Sequence, residues 1–142
     1  MSEAAPRRRG ILFLCVQNSA RSQMAEGLAR AIAPPEVEVW SAGSEPATVN
    51  PYAARAMEEI GIDLSDHRSQ PVDEIPLERV GTVITLCAEE ICPTLPGAVD
   101  RHHWPLRDPA AAEGTDQEVM RAFRAARDEI RALVEDFFRP RS

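Results

Sequence analysis

The sequence predicts an α/β fold, a single three-layer domain in which a parallel sheet carries helices on both faces. Three observations lead there. An all-apolar run, Ile11-Leu12-Phe13-Leu14, is followed by a polar loop and then by a helical stretch with Met24, Leu28 and Ile32 on one face. A second β-rich run, Thr82 to Leu86, delivers Cys87 at its carboxyl end, mirroring Cys15 after the first run. Strand-like and helix-like segments alternate along the chain, and strands separated by helices imply parallel pairing with right-handed crossovers.

The elements follow in order. Residues 1–9, with the tract Arg7-Arg8-Arg9, read as a flexible, solvated amino-terminal tail, and residues 10–142 as one domain. Gly10 to Leu14 is a buried strand and Ser22 to Ile32 a helix, stopped by Pro34-Pro35. Glu36 to Trp40 alternates polar and apolar like an edge strand, and Ser41-Ala42-Gly43-Ser44 reads as a turn. The second helix runs from about Pro51 to Ile60, with Asn50 as N-cap and Pro51 in its first turn. Leu64 to Val72 is loop, and Ile75 to Val80 holds a short helical turn. After Thr82 to Leu86 comes a last strand over Ala98 to Trp104. A long terminal helix over Asp116 to Phe138 then buries Val119, Phe123, Ile130, Val134 and Phe137. Its arginines 121, 124, 127 and 131, mixed with acids, form a solvated face.

Composition excludes several function classes. A chain of 142 residues buries roughly two-thirds of its unfolded surface, enough for one core. A net charge of -7 argues against general nucleic-acid binding. All 16 cationic residues are arginine, so no lysine is available for a Schiff base or a Walker-type phosphate loop. No segment approaches the roughly 18 apolar residues that span a bilayer. The expectation is a cytoplasmic monomer that contacts neither nucleic acid nor membrane. Three cysteines, an odd number, suit reactive thiols in a reducing compartment better than a disulfide framework.

The chemistry concentrates in residues 15–22, CVQNSARS. Five residues between Cys15 and Arg21 let the chain curl around a tetrahedral anion, with main-chain N–H groups turned inward and the next helix presenting its positive end. The oxyanion cradle is Val16, Gln17, Asn18, Ser19, Ala20 and Arg21. Cys15 stands beneath the anion as nucleophile, in a position that favours the thiolate, and Arg21 is the planar fork for two anion oxygens. Ser22 can donate its hydroxyl to the Cys15 sulfur, and Asn18 suits a left-handed backbone position. His102-His103 is a poor chelate because adjacent strand side chains point to opposite faces, so no metal site is expected.

The segments CVQNSARSQMAEG at 15–27, SAG at 41–43, NPYAARAMEEIGIDLSDHRS at 50–69, VITLC at 83–87, CP at 92–93 and HWPLRDPA at 103–110 resemble the low-molecular-weight phosphatase fold family. Within it they resemble the thioredoxin-coupled arsenate reductases. The resemblance implies a four-stranded parallel sheet, a Cys15 nucleophile and Asp108 as general acid. Tyrosine phosphatases of this fold carry an aromatic residue after the Asp-Pro pair, whereas Asp108-Pro109 here precedes three alanines. Reductases carry two further cysteines after the third strand, where Cys87 and Cys92 stand.

The implied activity is reduction of arsenate to arsenite by a thiol relay in arsenic detoxification. Cys15 attacks arsenic, Cys87 then attacks the Cys15 sulfur, and Cys92 takes the disulfide over from Cys15. The implied partners are arsenate, phosphate or sulfate as competing anions, and thioredoxin as external reductant, with no tightly bound cofactor. The reductase pattern separates its last two cysteines by six residues, and here there are four. The alternative at that point is a packed Cys92 with glutathione or mycothiol as reductant. The resemblance also implies a potassium site, for which Asn18, Glu26 and Ser41 match the side-chain ligands while Gln70 replaces a carboxylate. The same residues could instead form a hydrogen-bond network that supports the loop. Two other functions stay open: an aryl or protein tyrosine phosphatase using Cys15, Arg21 and Asp108, and a non-catalytic oxyanion-binding or redox-sensing module.

Overall fold

In the computed structural model, residues 9–88 and 99–140 are described. Four parallel strands, β1 (Gly10–Cys15), β2 (Val39–Gly43), β3 (Val80–Cys87) and β4 (Asp100–Leu106), form one sheet in the order β2-β1-β3-β4. The helices are α1 (Arg21–Ile32), α2 (Pro51–Glu58) and α3 (Asp116–Phe138). Short 3-10 turns occupy Val72–Glu74, Leu77–Arg79 and Pro109–Ala111. The sheet order makes β1 and β3 neighbours, so Cys15 and Cys87 end adjacent strands at the same edge of the sheet.

β1 is an uninterrupted apolar run because both its faces are covered. Ile11 and Phe13 enter a core with Met24 and Leu28 of α1, Met57 of α2, and Phe123, Ile130 and Val134 of α3. Leu12 and Leu14 point the other way, into a smaller core with Ala42, Ile75, Val80 and Val83, flanked by Val72 of the first 3-10 turn. Each such fully buried Leu or Phe contributes roughly 2 kcal/mol of apolar burial, so the strand that carries Cys15 is among the firmest parts of the molecule. Thr115 caps α3 reciprocally with Glu118, which explains why that helix begins where the sequence places it.

Three expectations shift. The second strand lies at 39–43 rather than 36–40, and Ser41, Ala42 and Gly43 are strand, not turn. Small residues look like turn formers in isolation, but here the end of β2 is buried and Ser41 is satisfied by a side chain of α1. The last strand runs to Leu106 and contains Pro105, tolerated because β4 is the edge of the sheet. Arg127 is not on a solvated face. It is buried, with one guanidinium nitrogen donating to Ala56 O and Glu59 Oε1, both at 2.8 Å.

Trp104 packs against Phe13 and Phe137, while Trp40 lies under the guanidinium of Arg79. His102 sits edge-on to Phe137, whereas His103 Nδ1 is 2.6 Å from Thr85 Oγ1. The two imidazoles thus have unrelated surroundings, and no cluster of metal-ligating side chains occurs among the described residues. Among those residues no helix is long and apolar enough to cross a membrane.

Candidate active site

Between the end of β1 and the start of α1 the chain closes into a tight loop, with Asn18 in the left-handed region at φ 50°. Asparagine tolerates that conformation better than most residues. The loop carbonyls are turned outward: Val16 O accepts from Glu45 N, Gln17 O from Ala47 N, and Ser19 O from Asn50 N, at 2.8, 3.2 and 2.9 Å. In a trans peptide the N–H points opposite to its carbonyl, so the amides of Gln17, Asn18 and Ala20 face the concave side. Glycine at 43 permits this packing, since a Cβ there would stand 2.4 Å from Val16 O and 2.9 Å from Asn18 N. The SAG segment is therefore the wall against which the loop is pressed.

The concave side is a cavity of about 190 Å³. Cys15, Val16, Gln17, Ser19, Ala20 and Arg21 form its base and one wall, and Asn50, Asp108 and Ala110 form the rim. Ala20 caps α1 without a side-chain oxygen, and the first turn holds no acidic residue. The positive end of the helix is thus directed at the cavity rather than neutralised. Ala110 brings only a methyl group to this part of the rim.

Cys15 is a buried, free thiol 2.9 Å from Ser22 Oγ. Arg21 is 3% exposed, and its Nη1 donates to Leu106 O at 2.9 Å and Leu86 O at 3.3 Å. The carboxyl ends of β3 and β4 therefore hold the guanidinium in place. Its Nη2 lies 3.8 Å from Asp108 Oδ2, while Asp108 Oδ1 accepts from Ala110 N at 2.9 Å. The aspartate is thereby steered onto the cavity rim, about a third exposed, where it can exchange a proton with solvent or a leaving group. Cys87, also buried, is disulfide-bonded. Cys92 lies outside the described residues.

Of the cradle residues, Asn18 alone does not line the cavity. Its side chain turns inward: Nδ2 donates to Ser22 Oγ at 2.7 Å, and Oδ1 accepts from Gln70 N at 2.9 Å. Glu26 and Ser41 do converge behind the loop, with Ser41 Oγ donating to Glu26 Oε1 at 2.5 Å. Glu26 Oε2 accepts from Arg30 Nε at 2.8 Å, and Gln70 Nε2 donates to Ser41 O at 3.0 Å. The oxygens that would ligate potassium are thus engaged by protein donors, one of them a guanidinium. This arrangement fits a hydrogen-bonded loop support.

Sequence reasoning passed over Gln23 and Asn50 as site residues. Asn50 is the N-cap of α2, as expected from its position before Pro51, and it also reaches the cavity rim. Gln23 is fully buried one position from the apolar face of α1, and it belongs to no motif. Only its unusual burial as a polar residue marks it, and that is visible in the fold alone.

Residues 10–140 match the model of the low molecular weight phosphotyrosine protein phosphatase family. The chain is 46% identical over 132 residues to an arsenate reductase of Halalkalibacterium halodurans, covering 92% of this chain and 95% of that one. Among solved structures it is similar to an arsenate reductase in the phosphate-binding state, with a TM-score of 0.77, 33% identity and coverage of 92% and 96%. A thioredoxin-dependent arsenate reductase of Corynebacterium glutamicum matches at a TM-score of 0.64 and 30% identity, over 94% of this chain and 65% of that one. With its strand-loop-helix cradle and parallel sheet, this chain belongs to the low molecular weight phosphotyrosine protein phosphatase family, on the branch of the arsenate reductases.

Proposed function

We propose that the protein reduces arsenate to arsenite through a relay of three thiols, as part of arsenic resistance in the cytoplasm. One observation carries this reading: Cys15 lies at the base of an oxyanion-sized cavity, and Cys87 ends the strand next to it. Arsenate enters with its oxygens toward the loop amides and the Arg21 fork, and phosphate or sulfate compete for the same donors. The Cys15 thiolate, holding the Ser22 hydroxyl as donor, attacks arsenic. An As–O bond breaks, and Asp108 supplies the proton with which that oxygen leaves as water.

Cys87 as thiolate then attacks the Cys15 sulfur. The S–As bonding pair stays on arsenic, which leaves as arsenite, and a Cys15–Cys87 disulfide forms. Cys92 next attacks Cys87 by thiol–disulfide exchange, which frees Cys15, and the dithiol of thioredoxin reduces the remaining disulfide. A free Cys15 with Cys87 disulfide-bonded is the pairing the relay passes through after its exchange step. These steps draw on no bound cofactor.

The test combines the protein with arsenate, thioredoxin, thioredoxin reductase and NADPH, and separately with an aryl phosphate. Arsenate-dependent loss of NADPH that vanishes in Cys87→Ser is the expected result. Brisk aryl phosphate hydrolysis without arsenate turnover would sink the reading in favour of a phosphatase. Weak phosphatase activity is compatible with it, because Cys15, Arg21 and Asp108 suffice for that chemistry.

A further inference from the structure

We propose that Gln23, braced by His67, is a positioning residue that aligns Asn18 and Ser22 so that the Ser22 hydroxyl donates to the Cys15 sulfur. The inference rests on the reading of Cys15 as the nucleophile. It follows from the directions of the hydrogen bonds around Gln23, which main-chain groups assign without ambiguity.

The main-chain N–H of Gln70 can only donate, and it lies 2.9 Å from the Asn18 side-chain amide, so the atom facing it is Oδ1. The amide nitrogen of Asn18 therefore faces Ser22 Oγ at 2.7 Å. An amide NH2 can only donate, so Ser22 Oγ accepts there, and its single hydrogen is left for Cys15 Sγ at 2.9 Å. The same logic applies one step back. Arg68 O can only accept, and it stands 3.0 Å from the Gln23 amide, so Nε2 faces Arg68 O, Asn18 O and Asn18 Oδ1, the last two at 3.1 Å. Gln23 Oε1 then faces His67 Nδ1 at 3.0 Å, which assigns a hydrogen to that ring nitrogen.

Four bonds thus run in one direction, from His67 to Gln23, Asn18, Ser22 and finally sulfur. Aligned donors polarise one another, and the chain ends on the atom whose negative charge it would stabilise. Gln23 is fully buried, as are Asn18 and Ser22, so solvent cannot replace the bonds among them. The charged groups facing the imidazole are Glu26, whose Oε1 is 3.8 Å from Nδ1, and Asp63, whose carboxylate interacts with it electrostatically. Without Gln23, Asn18 keeps Gln70 N alone as a donor to its oxygen, and the aim of Ser22 is loosened.

The test needs no arsenate, so its failure is separable from failure of the reductase reading. In a Cys87→Ser/Cys92→Ser background Cys15 is the only thiol, and its rate of alkylation by iodoacetamide at pH 6 reports the thiolate. Gln23→Met, of similar length but without donors, is expected to slow alkylation about five-fold; at about 1.4 kcal/mol per factor of ten that is roughly 1 kcal/mol, one hydrogen bond. Protection of Cys15 by inorganic phosphate should keep its half-maximal concentration within about two-fold, since the anion cradle stays intact. An unchanged alkylation rate in the folded variant, or parallel loss of phosphate protection, overturns the proposal. Should Gln23→Met fail to fold, His67→Leu and His67→Asn decide. Leucine should slow alkylation, and asparagine, whose amide can donate in place of Nδ1, should restore it. Equal rates in the two overturn it.

Discussion

Two polar networks in the molecule differ in kind. Behind Cys15 the network is built from Asn18, Ser22, Gln23 and His67, with a chain of four hydrogen bonds that runs toward one sulfur. Between α2 and α3 it is built from full charges: Glu59 accepts from Arg124 at 2.7–3.0 Å and from Arg127 at 2.8 Å. The first network ends on Cys15 and crosses 44 residues of sequence to reach it. The second clamps two helices and touches none of the residues that line the cavity. Neutral amides and a hydroxyl suit the first task because they give direction without a fixed charge that would compete with an anionic substrate. Arginine and glutamate suit the second because a half-exposed pair tolerates solvent and needs no single geometry.

Substitutions should separate the two. The largest effect is expected for Cys15→Ser, which should abolish arsenate-dependent NADPH consumption while leaving the thermal unfolding midpoint within a few degrees. Ser22→Ala should follow, with turnover lower by about ten-fold, the cost of one hydrogen bond to a charged group, and near-native stability. Arg127→Met should reverse that pattern. It strips the donor from the buried Ala56 carbonyl and one partner from Glu59, so urea denaturation should show a loss of about 2 kcal/mol with turnover unchanged.

A pH series sharpens the contrast further. Hydrogen bonds from Arg124 and then Arg127 hold the Glu59 carboxyl down at about 2, from an ordinary 4.5. A lowered carboxylate contributes stability that is present above its unfolded value and is lost as pH falls through the folded one. The protein should therefore lose this contribution between about pH 4.5 and 2. Glu59→Gln should flatten the stability profile in that window, as read by urea midpoints. A Glu59→Gln profile that keeps the wild-type slope would remove this pair from acid unfolding. The smallest effect is expected from cations: exchanging sodium for potassium at constant ionic strength should leave turnover unchanged, and specific activation by potassium would contradict the occupied donors around Glu26.

Much of the site was legible in the sequence because its bonds are local. Cys15, Asn18, Arg21 and Ser22 lie within eight residues, and a strand-loop-helix with this spacing can close only a few ways. The apolar run of β1 and the capped start of α3 were legible for similar reasons, one from burial on both faces and one from a reciprocal cap. The end of β2 was not. Ser41, Ala42 and Gly43 carry a turn-like composition, and only the approach of the nucleophile loop and Glu26 makes them buried strand. Arg127 failed for the converse reason, since helical periodicity places it among solvated arginines while α2, packing alongside, covers it.

By itself the sequence determined a cysteine at the base of a strand-loop-helix cradle, because that arrangement needs only neighbours along the chain. The tertiary structure decided what surrounds it. Strand order sets Cys87 beside Cys15, β3 and β4 carbonyls hold Arg21, Asp108 reaches the rim from 87 residues beyond Arg21, and His67 meets Gln23 from 44 residues away. Side-chain periodicity tells which face of an element is buried but not which element lies next to it. The contacts that set a second cysteine and a bracing network around the Cys15 loop exist only once the sheet has formed.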